Sequence, residues 1–220
     1  MMGYTRQSVA ISLGMLGLAA LARARQRQFM FYALAAATFH KSAVALVPLT
    51  VLQRDRNLWI TVLGACAIGV IAYWLLLHDH VNLVLKGYIE VEYKSAGALV
   101  RLVMNALPAA ILLAWRSRFG LSDHEWKIWR GVAVTAIILV LLYPGFPSSV
   151  ILDRLGLYLI PLQLFVYSRL PDVIGETRKS KQAWVAIILC YCALVQFVWL
   201  NFSMNAHNWI PYQFYPFAQP

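Results

Sequence analysis

Long apolar runs alternate with short polar segments along the whole chain. Each run is long enough, at about 1.5 Å per residue, to cross most or all of a hydrocarbon core of about 30 Å as a helix. This pattern predicts an all-α, polytopic membrane protein with about six transmembrane helices in a single membrane domain over 1–220. The predicted spans cover residues 4–22, 58–77, 97–115, 128–144, 150–170 and 183–203.

A further apolar segment, residues 28–52, is divided by His40, Lys41 and Ser42. As one straight span it would hold an ammonium and an imidazole near the bilayer midplane, at about 2.5–3.5 kcal/mol for a charged group. As two half-helices of about 10–12 residues, each half would be about 15–18 Å long and too short to cross the hydrocarbon core. The second interpretation predicts a re-entrant or broken hairpin with His40 at its tip.

The distribution of basic residues decides between these two interpretations. If segment 28–52 crosses once, basic loops fall on both sides of the membrane. If it is re-entrant, every basic loop is cytoplasmic, and the N-terminus and residues 78–96, 144–154 and 203–220 lie outside. We therefore predict the re-entrant topology in the cytoplasmic membrane. The basic groups are Arg23, Arg25 and Arg27; Arg54 and Arg56; Arg116, Arg118, Lys127 and Arg130; and Arg169, Arg178, Lys179 and Lys181.

Composition narrows the class of protein. Hydrophobic residues make up 61% of the chain and charged residues 13%, with a net charge of +10 and a mean hydropathy of +0.64. The lipid bilayer is therefore the expected partner, and nucleic acid is not, because the positive charges lie in short loops between apolar runs. The three cysteines have no metal-ligand or disulfide spacing. Residues 4–22 are interpreted as a span rather than a cleaved signal, since the rest of the chain is itself polytopic.

In the predicted topology three arginines meet at the outer face, Arg6, Arg101 and Arg154, above the hairpin tip at His40. Guanidinium groups suit phosphate oxygens, so the expected ligand is a lipid pyrophosphate. Other interpretations remain open. Arg6 could extend to lipid headgroups, Arg154 could pair with Asp153, and His40 could cap the broken helix. Arg101 lies deeper, which favours a functional role.

Several segments together resemble the EpsG family of polytopic proteins in exopolysaccharide biosynthesis, which are similar to Wzy-type polymerases. They contain an RQxxAI motif, an FHxSA motif with a following proline and a late R-x-x-x-Y motif, in that order. The segments are GYTRQSVAISL at 3–13, ATFHKSAVALVPL at 37–49, the pair Tyr88 and Tyr93, DRLGLYLIPL at 153–162 and IPYQF at 210–214. Family members usually have several spans before the RQ motif, so the resemblance implies the C-terminal part of the family fold, without those N-terminal spans.

The resemblance also implies a substrate and a reaction. Oligosaccharide repeat units carried on polyprenyl (undecaprenyl) pyrophosphate would be joined by a membrane glycosyltransferase at the outer face of the cytoplasmic membrane, with no metal or cofactor. Pyrophosphate is already a good leaving group, so charge stabilisation matters more than a strong acid. The roles expected are general base for His40 or Asp153; pyrophosphate binding for Arg6, Arg101 and Arg154; and glycan contact for Gln7, Tyr88, Glu92 and Tyr93.

Two other functions fit the same sequence. A flippase or transporter of lipid-linked sugars would also use broken helices with charges at mid-depth. A non-catalytic membrane component of a polysaccharide-synthesis complex would suit a chain that lacks the first spans of its family. In either case other membrane proteins of polysaccharide synthesis would be partners.

Overall fold

The computed structural model describes residues 5–40, 42–44, 46, 97–146 and 149–202. Within these ranges the chain forms seven α-helices, which confirms the predicted all-α class for this part of the chain. The predicted span at 58–77 lies outside the described residues. The helices are α1 (Thr5–Ala22), α2 (Gln26–Phe39), α3 (Ala98–Ala114), α4 (Asp123–Leu142), α5 (Ser149–Leu157), α6 (Ile160–Ile174) and α7 (Arg178–Phe202).

Helices α1 and α2 form an antiparallel hairpin with a tight turn at Arg23–Arg25. The turn is closed by backbone bonds to the last turn of α1, including one of 3.0 Å from the Arg25 N–H to the Ala20 carbonyl. A Cβ at Gly17 would lie 3.3 Å from the Phe29 ring and 3.4 Å from Tyr32. The absence of a side chain at Gly17 therefore lets the two helices approach closely.

Helix α2 ends at the residue where the sequence predicts a break. His40 has extended backbone angles (φ −147°, ψ 117°), and residues 42–44 form a short 3₁₀ turn. The Ala43 N–H donates to the His40 carbonyl over 2.9 Å. The break at His40 is thus confirmed, whereas the second half of the predicted hairpin, residues 47–52, lies outside the described residues.

Helices α3 and α4 are joined through a 3₁₀ turn at Arg116–Phe119. Helix α4 begins at Asp123, five residues before the predicted start at 128, so Lys127, which was predicted to lie in a loop, is helical. The reason is a capping box. The Ser122 hydroxyl accepts from the Glu125 N–H, and the Glu125 carboxylate accepts from the Ser122 N–H.

The predicted span 150–170 is not one continuous helix. Helices α5 and α6 meet at an angle of 47°, with Tyr158 and Leu159 between them. Pro161 explains the interruption, because it has no N–H to donate to the Leu157 carbonyl and its ring collides with that carbonyl in a straight helix. The Tyr158 and Leu159 N–H groups instead bond three residues back, to Leu155 and Gly156.

By length and hydropathy, two segments of the described chain can cross a membrane, Asp123–Gly145 and Arg178–Phe202. The bent pair α5–α6 makes a third if it is one broken span, and α1 and α3 are shorter apolar helices. The described residues thus support a multi-pass membrane protein, and the count of six spans stays a prediction.

The described helices fall into two compact units, one ending at Val166 and the other beginning at Tyr167. In the first unit α4 packs on the start of α6, where the Trp129 and Phe165 rings stack with centroids 3.9 Å apart. In the second unit Tyr167 and Tyr191 meet edge to face at 5.5 Å, and Lys181 pairs with Asp172 over 2.8 Å. The prediction of one membrane domain over 1–220 stays a prediction.

Candidate functional site

Arg101 and Asp153 form a two-pronged ion pair between α3 and α5. The Arg101 Nε and Nη2 groups donate to the two carboxylate oxygens of Asp153, over 2.5 and 2.7 Å. The Asp153 side chain is 6% exposed, and that of Arg101 is 36% exposed. Such fork-to-fork pairing fixes both groups in orientation as well as neutralising the buried carboxylate. The sequence analysis predicts roles for both residues, but the partner that it suggests for Asp153 is Arg154.

One turn further along α3, Asn105 makes a second polar contact with the same region. Its amide nitrogen donates to the Gly156 carbonyl over 2.8 Å, and its oxygen accepts from Gln163 over 2.7 Å. Gly156 also lies against Leu102, because a Cβ there would come within 2.9 Å of the Leu102 side chain. We call the contacts of Arg101–Asp153 and Asn105–Gly156–Gln163 the α3 ladder, since they succeed one another along that helix.

A second polar group, the His40 cluster, consists of His40, Ser42 and Tyr158. The His40 Nδ1 atom lies 2.6 Å from the Ser42 hydroxyl, which lies 3.0 Å from the Tyr158 hydroxyl. The Tyr158 hydroxyl is also 3.5 Å from His40 Nδ1. Ser42 and Tyr158 are 116 residues apart in sequence, so the contact joins the break after α2 to the break between α5 and α6.

Arg154 contributes a positive charge that acts on this cluster. It precedes Tyr158 by about one helical turn, and its charge acts electrostatically on both His40 and Tyr158. Its side chain is exposed. The structure therefore brings together the imidazole and two hydroxyl groups, drawn from the FHxSA and R-x-x-x-Y motifs, and the charge of Arg154 acts on them electrostatically.

Of the remaining predicted site residues, two lie among the described residues and three lie outside them. Arg6 is exposed in the first turn of α1, and Gln7 beside it is buried, with 3% of its surface exposed. Tyr88, Glu92 and Tyr93 lie outside the described residues. The described chain holds no group of three His, Cys, Asp or Glu side chains that could bind a metal, and the expectation of no metal or cofactor stays a prediction.

Sequence reasoning gave no role to Ser42 or Tyr158. Both belong to the quoted motifs, as the serine of FHxSA and the tyrosine of R-x-x-x-Y. The motifs therefore pointed to these residues but did not show that the two contact each other. Gln163 carried no motif signal. Asn105, a polar residue within an apolar run, forms a hydrogen bond between helices.

Comparison with known proteins assigns the family. The model of the EpsG family matches residues 1–214. The chain belongs to the EpsG family. This confirms the resemblance seen in the motifs, and membership in the EpsG family implies a membrane protein of exopolysaccharide biosynthesis. No curated protein and no solved structure matches the chain significantly.

Proposed function

We propose that this EpsG-family chain polymerises oligosaccharide repeat units carried on a polyprenyl pyrophosphate at the outer face of the cytoplasmic membrane. The observation that carries the proposal is the His40 cluster, on which the charge of Arg154 acts. Two motifs far apart in sequence supply a hydrogen-bonded imidazole and a cationic group that influences it electrostatically. Glycosyl transfer from a pyrophosphate needs these two functions, a base for the attacking hydroxyl and a positive charge for the leaving group.

His40 is the proposed general base. Its Nδ1 atom is engaged by Ser42, which leaves Nε2 to meet a sugar hydroxyl. That hydroxyl would transfer its proton to Nε2 while its oxygen bonds to the anomeric carbon of the donor sugar. The bond from that carbon to the pyrophosphate oxygen breaks, and the pyrophosphate leaves with the bonding electrons. Ser42 and Tyr158 orient the imidazole in this scheme.

The arginines are proposed to stabilise the charge that develops on the pyrophosphate. Arg154 is exposed and acts on the His40 cluster, which supports direct contact with the leaving group. Arg101 is partly exposed beyond its pair with Asp153 and would contribute at the edge of the same site. The bidentate pairing favours Asp153 as the residue that orients Arg101, and it makes Asp153 a weaker candidate than His40 for the base.

Complementation of a deletion strain tests this proposal. His40→Ala and Arg154→Ala should each abolish long polymer and leave single repeat units on the lipid carrier, with Arg101→Ala giving the same product at lower severity. Arg118→Ala is the matched control, because Arg118 is an exposed arginine on the turn after α3. Normal polymer length from both His40→Ala and Arg154→Ala would overturn the proposal.

A transporter for the same lipid-linked sugar is the second candidate. The observation in its favour is that two helix breaks, at His40 and at Tyr158, meet in one cluster, as discontinuous helices do in many transporters. The location of the accumulated repeat units separates the two functions. Repeat units trapped on the cytoplasmic face in the Arg154→Ala strain would favour transport, and repeat units on the outer face would favour polymerisation.

A further inference from the structure

Gln7 is a buried carboxamide whose nitrogen has no hydrogen-bond partner among the described residues. A buried amide usually finds a partner, because leaving it unpaired forfeits the hydrogen bonds that it made in water. Asn105, the other buried carboxamide of the described chain, does have partners, at Gly156 and Gln163. The contrast indicates that the Gln7 amide is kept for another purpose.

The position of Gln7 follows from the α1–α2 hairpin. Helix α1 runs antiparallel to α2, and the close approach of Gly17 to Phe29 and Tyr32 fixes their register. Ten residues nearer the N-terminus of α1, Gln7 is therefore level with His40, where α2 ends.

The face of α1 that carries Gln7 is turned toward the His40 cluster. Ala10, one turn after Gln7 on that face, belongs to the same apolar core as Ala43 and Tyr158. Gly14, one further turn along, lies under Leu46, since a Cβ there would come within 2.8 Å of the Leu46 side chain. The Gln7 amide thus projects from the same packed face, at the level of the site.

We propose that Gln7 is a substrate-binding residue whose side-chain N–H₂ group donates a hydrogen bond to an oxygen of the sugar next to the pyrophosphate. A neutral amide donor suits a sugar oxygen, whereas the charged phosphate oxygens are matched by the arginines. The inference rests on the proposed function for the identity of the ligand. It adds that α1, through Gln7, binds the sugar and not the polyprenyl pyrophosphate carrier.

Unfolding of the purified full chain without ligand gives the first test. Gln7→Met replaces the amide by an apolar side chain of similar size and should leave the unfolding midpoint unchanged or raised, because the amide nitrogen has no partner among the described residues to lose. Asn105→Leu is the matched control and should lower the midpoint, since it removes an amide that has two partners. A fall for Gln7→Met as large as that for Asn105→Leu would show a structural amide and overturn the inference.

Ligand binding gives the second test, with undecaprenyl-pyrophosphate-linked oligosaccharide and undecaprenyl pyrophosphate as the two probes. Gln7→Met should weaken binding of the first probe by about three- to tenfold, the loss of one neutral hydrogen bond, and leave the second unchanged. Arg154→Ala should weaken both. Equal weakening of both probes by Gln7→Met, or no weakening of either, overturns the assignment to the sugar. If the wild-type chain binds neither probe, the proposed function fails and takes the sugar assignment with it.

Discussion

The α3 ladder and the His40 cluster are both polar groups inside an apolar protein, yet they are built differently. In the ladder each interaction is a directed hydrogen bond. Arg101 donates to both carboxylate oxygens of Asp153, and Asn105 donates through its amide nitrogen and accepts through its amide oxygen. In the cluster three groups that can each donate or accept lie 2.6–3.5 Å from one another, and the charge of Arg154 acts on His40 electrostatically. The ladder consists of contacts that hold helices together, and the cluster contains groups suited to the proton transfer proposed above.

The largest loss of stability is expected when the buried carboxylate of the α3 ladder, Asp153, is removed. Asp153→Ala leaves the Arg101 guanidinium without its bidentate partner, and we expect a loss of about 2–4 kcal/mol in unfolding free energy, at the low end for a buried pair because Arg101 is partly exposed. Chemical unfolding of the solubilised chain measures it. The double variant Arg101→Met/Asp153→Leu should recover much of the loss, and equal destabilisation of the single and double variants would contradict the fastening role.

A smaller effect is expected from crowding the middle of the ladder. Gly156→Ala puts a Cβ 2.9 Å from the Leu102 side chain and 3.6 Å from the Asn105 amide nitrogen, so one or both must shift, at about 1–3 kcal/mol. Thermal unfolding measures the loss. Gly145→Ala is the control, because a Cβ at Gly145 meets nothing within 4 Å among the described residues. Equal midpoints for the two variants would mean that the contact at Gly156 is loose.

The smallest change in stability is expected in the His40 cluster, where it should accompany a large change in product. Tyr158→Phe keeps the ring in the core and removes only the hydroxyl that contacts Ser42, so the unfolding free energy should fall by less than about 1 kcal/mol.

Polymer yield in the same Tyr158→Phe variant should fall about tenfold, because the chain of contacts that orients His40 is shortened. Chain-length analysis of the polysaccharide, with Tyr32→Phe as the control, measures it. Unchanged polymer yield together with reduced stability would show that the His40 cluster is a structural contact like the α3 ladder, contrary to the prediction.

Local signals in the sequence predicted the helices well where hydropathy alone decides them. Thr5–Ala22 and Ala98–Ala114 match the predicted runs almost residue for residue, and the polar residues at 40–42 marked the end of α2. The predicted helix boundaries were wrong where a single residue starts or interrupts a helix, because the mean hydropathy of the segment does not report such a residue. The capping box at Ser122 starts α4 before its apolar run begins, and Pro161 interrupts a run that is otherwise apolar.

Some residues of the candidate site were predicted from the sequence, but their contacts were not. Arg101 and Asp153 were both named from their chemistry, yet their pairing depends on how α3 packs against α5. Ser42 and Tyr158 are 116 residues apart, and no local pattern links them. Which groups meet is decided by packing between helices, which the alternation of apolar and polar residues does not encode.

The proline after α5 has a consequence for affinity. Because Pro161 lacks an N–H, the corner that holds Tyr158 is fixed by covalent structure and does not have to be formed when a substrate arrives. A binding surface that is rigid beforehand loses little conformational entropy on association, so more of each contact appears as affinity. Replacing that proline by alanine would let the corner straighten, and we expect the first effect to be weaker binding of the proposed lipid-linked sugar.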